Sequence, residues 1–388
     1  MKILIVSKCP THPASAGNRR FILNQVELFK KMGHIVHFLY VEEKGLKVFF
    51  KNSSKETLEM KKYWGSNLHI YKVSLSDKIK FNLLQNYIRP KFNHGYIKVD
   101  DVYPNGLTTS VNTLNNVENF DCVIVNYYYL SKLLLKTDIP LKGLTTHDYF
   151  SFKDQLVGIK NVTWGTDANQ EATAMQRSPN ILALNTEEAI FFSKLAPLNN
   201  IYNVFGSFEY KPSEIVGNKV LLFLSGSNVY NLKGLKWFVE EIFPTIVKKI
   251  PQVKLRIGGS ICRVIREYSY HPNIELVGFV ESADEFYKTA DIVINPTYLG
   301  TGLKIKTFES IAYDKVTIVH PHSMIGIYNV EKAPVFSSCC AEDWVNFLNG
   351  VWSDSSRIRN IKEQNKRYIT AMQSFVLSEY QRFFSSLK

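Results

Sequence analysis

Two glycines, two lysines and a glutamate fall within ten residues in GTGLKIKTFE (Gly300–Glu309), directly after an apolar run, DIVINP (Asp291–Pro296). Gly300 and Gly302 allow a sharp turn and a close approach of backbone to ligand. A helix beginning near Leu303 would then offer free N–H groups and the positive end of its dipole to an anion. Lys304 and Lys306 add charge, and Glu309 follows Lys306 at i+3 on the same helix face. Phosphate at the helix start and a carboxylate one turn deeper match a nucleotide, with diphosphate at the glycines and ribose hydroxyls at Glu309. The same residues also fit an ordinary strand–loop–helix with a surface Lys–Glu pair worth about a few tenths of a kcal/mol. Spacing alone does not choose between the two.

Three further loops have similar chemistry. SGSNVYNLKG (Ser225–Gly234) follows a second apolar run and places Lys233 where a helix begins. PASAGNRR (Pro13–Arg20) contains Gly17, where backbone could approach a phosphate, and Arg19 or Arg20 to add charge. TTHDYF (Thr145–Phe150) puts His147 and Asp148 at a strand end, as a polar contact or as a structural pair. No G-x-x-x-x-G-K-[ST] occurs, and no G-x-G-x-x-G follows a strand, which disfavours Walker and dinucleotide sites. No Asp-x-Asp occurs either, so lysines and helix ends would have to neutralise a diphosphate without a divalent ion. The five cysteines show no C-x-x-C spacing, which argues against a disulfide framework or zinc ribbon. Cys9 and His12 alone lack the further ligands a metal needs.

These loops need elements to hold them. KILIVS, a Pro/Gly loop, the helical pattern FILNQVELFKKMG and the strand HIVHFLY form one βαβ plan; KVLLFLS, GSNVYNLKG, LKWFVEEIFPTIVKKI and VKLRIGG form a second. Gly33 and Pro251 mark the two helix exits. Two such beginnings in 388 residues predict an α/β chain of two Rossmann-like, doubly wound parallel-sheet domains facing across a cleft. The expected division is 1–205, a linker at 206–218, 219–365, and a closing C-terminal helix at 366–388 that packs back on the first domain. Ligands of such sheets bind beyond the carboxyl ends of the strands. The net charge of +12 is concentrated between Lys44 and Lys98, where eleven lysines and one arginine face Glu56, Glu59 and Asp77. Interleaved aromatics there suit an anionic membrane, single-stranded nucleic acid or a solvated basic face. Within that segment Ile79, Leu83, Leu84, Tyr87 and Ile88 share one helical side, which suits either core packing or membrane docking. No run reaches the roughly 18 apolar residues of a membrane helix, and MKILIVSKCP reads as a first strand, so the expected location is the cytoplasm.

The second half, from VLLFLSGSNVYNLKG through GTGLKIKTFESIAYDK to VTIVHPHS, resembles the family-4, group 1, retaining glycosyltransferases of GT-B fold. The first half is similar to them more loosely, in its glycine-bearing first loop, MGHIV and THDYF. The resemblance implies a nucleotide-sugar donor, UDP- or GDP-linked, held mainly by the second domain, and a glycan or lipid-linked acceptor held mainly by the first. It implies no cofactor, no metal and no nucleic-acid partner. The setting it implies is bacterial surface polysaccharide synthesis (lipopolysaccharide, O-antigen or capsule), in the cytoplasm or at the inner face of its membrane. Glu309 matches the second glutamate of the family's E-x7-E pair, and the first falls on Thr301. Lys233 matches the diphosphate lysine, while Ser227 or Asn228 stands where an arginine is usual and Lys306 is the expected replacement for its charge. Gly17 and the Gly302–Leu303 helix start match diphosphate contacts, His147 a sugar contact, and Val280 a backbone contact with the base. Lys306, Lys233 and His147 are the expected catalytic groups. Two rivals remain at this level: an inverting GT-B transferase or nucleotide-sugar epimerase, and a basic polyanion-binding protein.

Overall fold

The structure is a computed structural model, and it describes residues 1–14, 17–43, 54–88, 91, 98–153, 155 and 165–387. The chain divides into two compact units. One comprises Met1–Ser207, Thr301–Leu303 and Val376–Lys388; the other comprises Phe208–Gly300 and Lys304–Phe375.

In the first unit the strands are β1 (Lys2–Ser7), β2 (Ile35–Glu42), β3 (Leu68–Lys72), β4 (Cys122–Asn126), β5 (Leu141–Thr145), β6 (Asn180–Ala183) and β7 (Asn200–Asn203). They form one sheet in the order β3-β2-β1-β4-β5-β6-β7, and every pairing is parallel. β1 and β4 are apolar runs buried along almost their whole length, as strands covered on both faces must be. The helices are α1 (Gly17–Lys31), α2 (Ser54–Trp64), α3 (Leu75–Leu83), α4 (Leu107–Glu118), α5 (Lys132–Lys136), α6 (Ala168–Met175) and α7 (Thr186–Leu195). α1 buries Phe21, Ile22, Val26 and Phe29 at helical spacing, and Gly33, at φ +83°, carries the chain out of it.

The second unit repeats the plan with β8 (Val220–Leu224), β9 (Lys254–Gly258), β10 (Ile274–Gly278), β11 (Ile292–Asn295), β12 (Val316–Val319) and β13 (Val335–Ser337). Their order is β10-β9-β8-β11-β12-β13, again all parallel. Its helices are α8 (Val229–Trp237), α9 (Phe243–Lys249), α10 (Ala283–Tyr287), α11 (Ile305–Ala312) and α12 (Ala341–Ser353). Leu221, Phe223, Leu255, Ile257, Ile292 and Ile294 meet Phe238, Phe243 and Trp344 in its main core. The pattern LKWFVEEIFPTIVKKI is not one regular helix. A π-helical segment, Phe238–Ile242, separates α8 from α9, and it accommodates Pro244, whose ring and missing N–H a regular α-helix interior would not. The final helix, α13 (Ser355–Ser385), is a single element of 31 residues that begins well before 366. Its last turns belong to the first unit, where Gln25 donates to the Tyr380 hydroxyl at 2.9 Å.

Strand order reverses between β1 and β4 in one sheet and between β8 and β11 in the other. At such switch points adjacent loops diverge to opposite faces and leave a crevice at the carboxyl ends of the strands. All four loops singled out above leave strands at or next to these two points.

Candidate functional site

The loop after β11 turns on Gly300 (φ +97°) and Gly302 (φ +84°), conformations that side chains with a Cβ rarely adopt. α11 starts at Ile305, two residues later than the sequence pattern places it, with Lys304 as its N-cap and no side chain capping it. Its first N–H groups therefore have no capping side chain, as an anion-receiving helix start requires. Lys304 does not point there; its Nζ folds back onto Gly300 O at 3.0 Å. Lys306 does the opposite. Its Nζ donates to Asn231 Oδ1 at 2.7 Å, and Asn231 in turn donates through Nδ2 to Gly226 O at 3.0 Å. One amide thus ties α11 to the loop after β8, across the switch point. Burial drives the Lys306 amine down to about 8, with Glu309 pulling the other way. A desolvated ammonium with one neutral partner is held ready for an anion.

α8 differs. Asn228 caps it, its Oδ1 accepting from Asn231 N at 2.9 Å, so this helix start is already partly satisfied. Lys233 lies a full turn inside α8 and is exposed; Ser227 is exposed beside it, with its N–H on Ser260 Oγ at 3.2 Å. Gly234 is required by packing, because a Cβ there would lie 2.8 Å from Pro296 O and from Thr297 Cα. Glu309 is half-buried one turn beyond Lys306. The Thr301 hydroxyl, and the Asn295 Oδ1 and Thr297 Oγ1 atoms at the end of β11, are buried with no hydrogen-bond partner among the described residues. Such atoms keep hydrogen-bonding capacity that an ordered water or a ligand can take up.

A cavity of about 270 Å³ opens beside β9 and β10, lined by Gly259, Ser260, Cys262, Arg263, Arg266, Leu276, Gly278 and Phe279. It is sized for one ring system rather than a drug-sized ligand. Phe279 stands 76% exposed at its wall. Val280 turns its side chain the other way, onto Gly258 and the Leu222–Phe286 cluster.

In the first unit Gly17 opens α1, and the next residue, Asn18, donates through Nδ2 to the Tyr127 hydroxyl at 3.0 Å, bridging the β1 and β4 loops as Lys306 and Asn231 bridge theirs. Arg19 is committed elsewhere: it pairs with Glu56 at 2.6 Å and donates to His12 O and Pro13 O, so it shapes the loop instead of offering free charge. Arg20 donates to Ala14 O at 3.0 Å. His147, at φ +64°, stacks on Tyr127 with centroids 4.2 Å apart and shares a 2.6 Å hydrogen bond with Asn126 Oδ1. A carbonyl oxygen only accepts, so His147 Nε2 carries the proton. Burial lowers the ring's pKa to about 3, which keeps the imidazole neutral and leaves Nδ1 as an acceptor. The loop is pinned from below by Glu171, which accepts from Phe150 N and Ser151 N, each at 2.8 Å, and by Glu188, which accepts from Thr146 and from Leu184 N. Burial raises these carboxyls to about 6 and about 8. Asn231, Glu171 and Glu188 were not legible as site residues; only the Asn at the third position after a capping Asn228 hints at the first.

Two parallel-sheet domains with loops of this kind at both switch points have the GT-B fold, and the family match of the second domain makes the chain a glycosyltransferase. Its residues 218–336 match the family of group 1 glycosyl transferases. A Klebsiella pneumoniae protein described as an uncharacterized 44.6 kDa protein in the cps region is 24% identical, with 93% of each chain covered. Among solved structures, a mutant of TarM from S. aureus, in complex with fondaparinux, alpha-GlcNAc-glycerol and UDP, is 12% identical at a TM-score of 0.66, with 99% of each chain covered. HepE from Anabaena in complex with UDP is also 12% identical, at a TM-score of 0.64 over 100% of both chains.

Proposed function

We propose that this chain is a retaining, metal-independent transferase that moves a sugar from a nucleotide-sugar donor to a glycan or lipid-linked glycan during bacterial surface polysaccharide synthesis. The observation that carries the reading is Lys306, desolvated and fixed by Asn231 beside the uncapped start of α11. There the departing diphosphate would gain charge, and the amine and helix N–H groups would stabilise it without a divalent ion. Glu309, one turn deeper, would take the ribose hydroxyls. The cavity beside Gly278 and Phe279 would take the base, Phe279 offering a ring to stack on. Lys233, Ser227, Gly302, Leu303 and Thr301 supply further donor contacts in this reading. Gly17 and neutral His147 belong to the first unit, which would hold the acceptor; His147 would hydrogen-bond a sugar hydroxyl rather than shuttle a proton. The occurrence of the Klebsiella relative in a cps region supports the polysaccharide setting.

A lipid-linked acceptor favours a membrane surface, and α3 supports one. Phe81 and Asp77 are buried and anchor it, while Leu75, Ile79 and Leu83, with Tyr87 and Ile88 just beyond, are 41–73% exposed. Lys80 is exposed among them. An apolar stripe flanked by lysine, in a segment of strong positive charge, fits the headgroup boundary of an anionic bilayer. Much of the remaining basic segment, 44–53 and 92–97 included, lies outside the described residues. No described helix is long and apolar enough to cross a membrane. A peripheral position on the inner face of the cytoplasmic membrane follows in this reading.

Screening UDP- and GDP-sugars for hydrolysis and transfer, with anomeric analysis of the product, tests the proposal. Turnover of one donor with retention, undiminished in EDTA, is expected; inversion, donor epimerisation without acceptor, or no turnover of any donor would overturn it.

A further inference from the structure

A second chemical cluster sits at the amino end of the first sheet, the end away from the switch-point loops. His37 is the third residue of β2 and His69 the second of β3. The register pairs His69 with Leu39, two residues beyond His37, so both imidazoles stand on one face of the sheet. Glu118, the last residue of α4, closes the group: one ligand atom from each of the three lies within 4.8 Å of the other two. His37 Nδ1 and His69 Nε2 are 2.9 Å apart, and their rings are parallel to within 3°. Lys2 donates to Glu118 Oε2 at 3.0 Å and to its main-chain oxygen at 2.7 Å, while Phe120 packs edge-on against His37.

We infer that His37, His69 and Glu118 form a structural site for a divalent transition metal, zinc foremost. Two imidazoles and a carboxylate, with one water, make a tetrahedral set of the kind zinc takes. Zinc–nitrogen bonds of about 2.0–2.1 Å place two ligand nitrogens about 3.3 Å apart, so the imidazoles need only spread by a few tenths of an ångström. Lys2 on Glu118 acts as the outer partner that orients a ligating carboxylate. The gain is local. β3 is the edge strand, and a metal would tie it to β2 and to the end of α4, beyond what one row of ladder hydrogen bonds provides. The alternative is a plain histidine–histidine hydrogen bond beside a Lys–Glu ion pair. Placed at the amino ends of the strands, the ion would take no part in sugar transfer, so this inference stands apart from the metal-independent chemistry above.

The full chain, stripped with EDTA and titrated with zinc chloride against a chromophoric chelator, should take up one equivalent. His69→Ala should weaken that binding at least about tenfold. Zinc should raise the thermal midpoint of the parent but not of His69→Ala, and cobalt should give tetrahedral d–d absorption bands in the parent alone. If His69→Ala fails to fold, Glu118→Gln, at a half-buried position, gives the same readouts. Absence of stoichiometric zinc binding would overturn the inference. So would unchanged zinc affinity and cobalt bands in whichever variants fold, which would place the metal elsewhere.

Discussion

Lys306 is the residue at which the proposed chemistry can be tested most sharply, because binding and stability should respond in opposite directions. Its amine is lowered from 10.5 to about 8, first by burial. At about 1.4 kcal/mol per pKa step, holding that charge in the ligand-free protein costs about 3 kcal/mol. A bound diphosphate would repay this and drive the amine back up. The sign follows: the free protein carries the proton below about pH 8 and loses it above, whereas the complex keeps it to higher pH. Nucleoside diphosphate affinity should therefore be level from pH 7 to 8 and fall by up to about tenfold per pH unit beyond, with proton uptake on binding at pH 9. Lys306→Met should lose about 2–4 kcal/mol of binding, a factor of about 30 to 1,000, and with it the pH dependence. The same change removes a desolvated charge at the expense of one hydrogen bond to Asn231, worth about 1 kcal/mol. Unliganded Lys306→Met should thus unfold no earlier than the parent, and by this reckoning a few degrees later. Calorimetric titration with UDP and GDP in two buffers of different ionisation enthalpy, with thermal unfolding alongside, reads all of these. Parent-like affinity in Lys306→Met, or no proton uptake at pH 9, would refute the reasoning.

Other outcomes follow from single observations. Phe279→Ala should weaken UDP or GDP binding by about 1–3 kcal/mol while leaving inorganic pyrophosphate binding unchanged, since only the base would meet that ring; equal losses for both would show that Phe279 is structural. Because His147 titrates near 3, its protonation should leave no inflection in the transfer rate between pH 5.5 and 8, and an ascending limb near 6.5 that His147→Asn abolished would contradict a neutral imidazole. Ile79→Asp combined with Leu83→Asp should lower co-flotation with anionic liposomes at least about tenfold without changing donor hydrolysis; parent-like flotation would count against docking through α3.

The parts of the site that local chemistry dictates were legible in the sequence. Both βαβ beginnings, the exit at Gly33 and the turns at Gly300 and Gly302 follow from apolar runs and from residues that tolerate positive φ. Through-space partnerships were not. Nothing in the spacing joins Lys306 to Asn231, 75 residues earlier, or tells Lys306, directed to that amide, from Lys304, folded onto its own loop. Arg19 reads as available charge until Glu56 is seen beside it. His37 and His69 carry no metal-ligand spacing and meet only because β2 and β3 pair in one register. For Leu75–Ile88 periodicity identified the apolar side but not whether it faced core or solvent. That depends on the few anchors, Phe81 and Asp77, that hold the helix to the domain. The π-helical segment before Pro244 escaped for a related reason, since periodicity is blind to one inserted residue.

The most direct measurement is a crystal structure of the chain with UDP or GDP, grown in EDTA. The diphosphate should lie within hydrogen-bond distance of Lys306 Nζ and of the first N–H groups of α11, with the ribose at Glu309 and no cation between. A nucleotide bound elsewhere, or one that enters only with magnesium held by carboxylates, would contradict a lysine-and-helix diphosphate site.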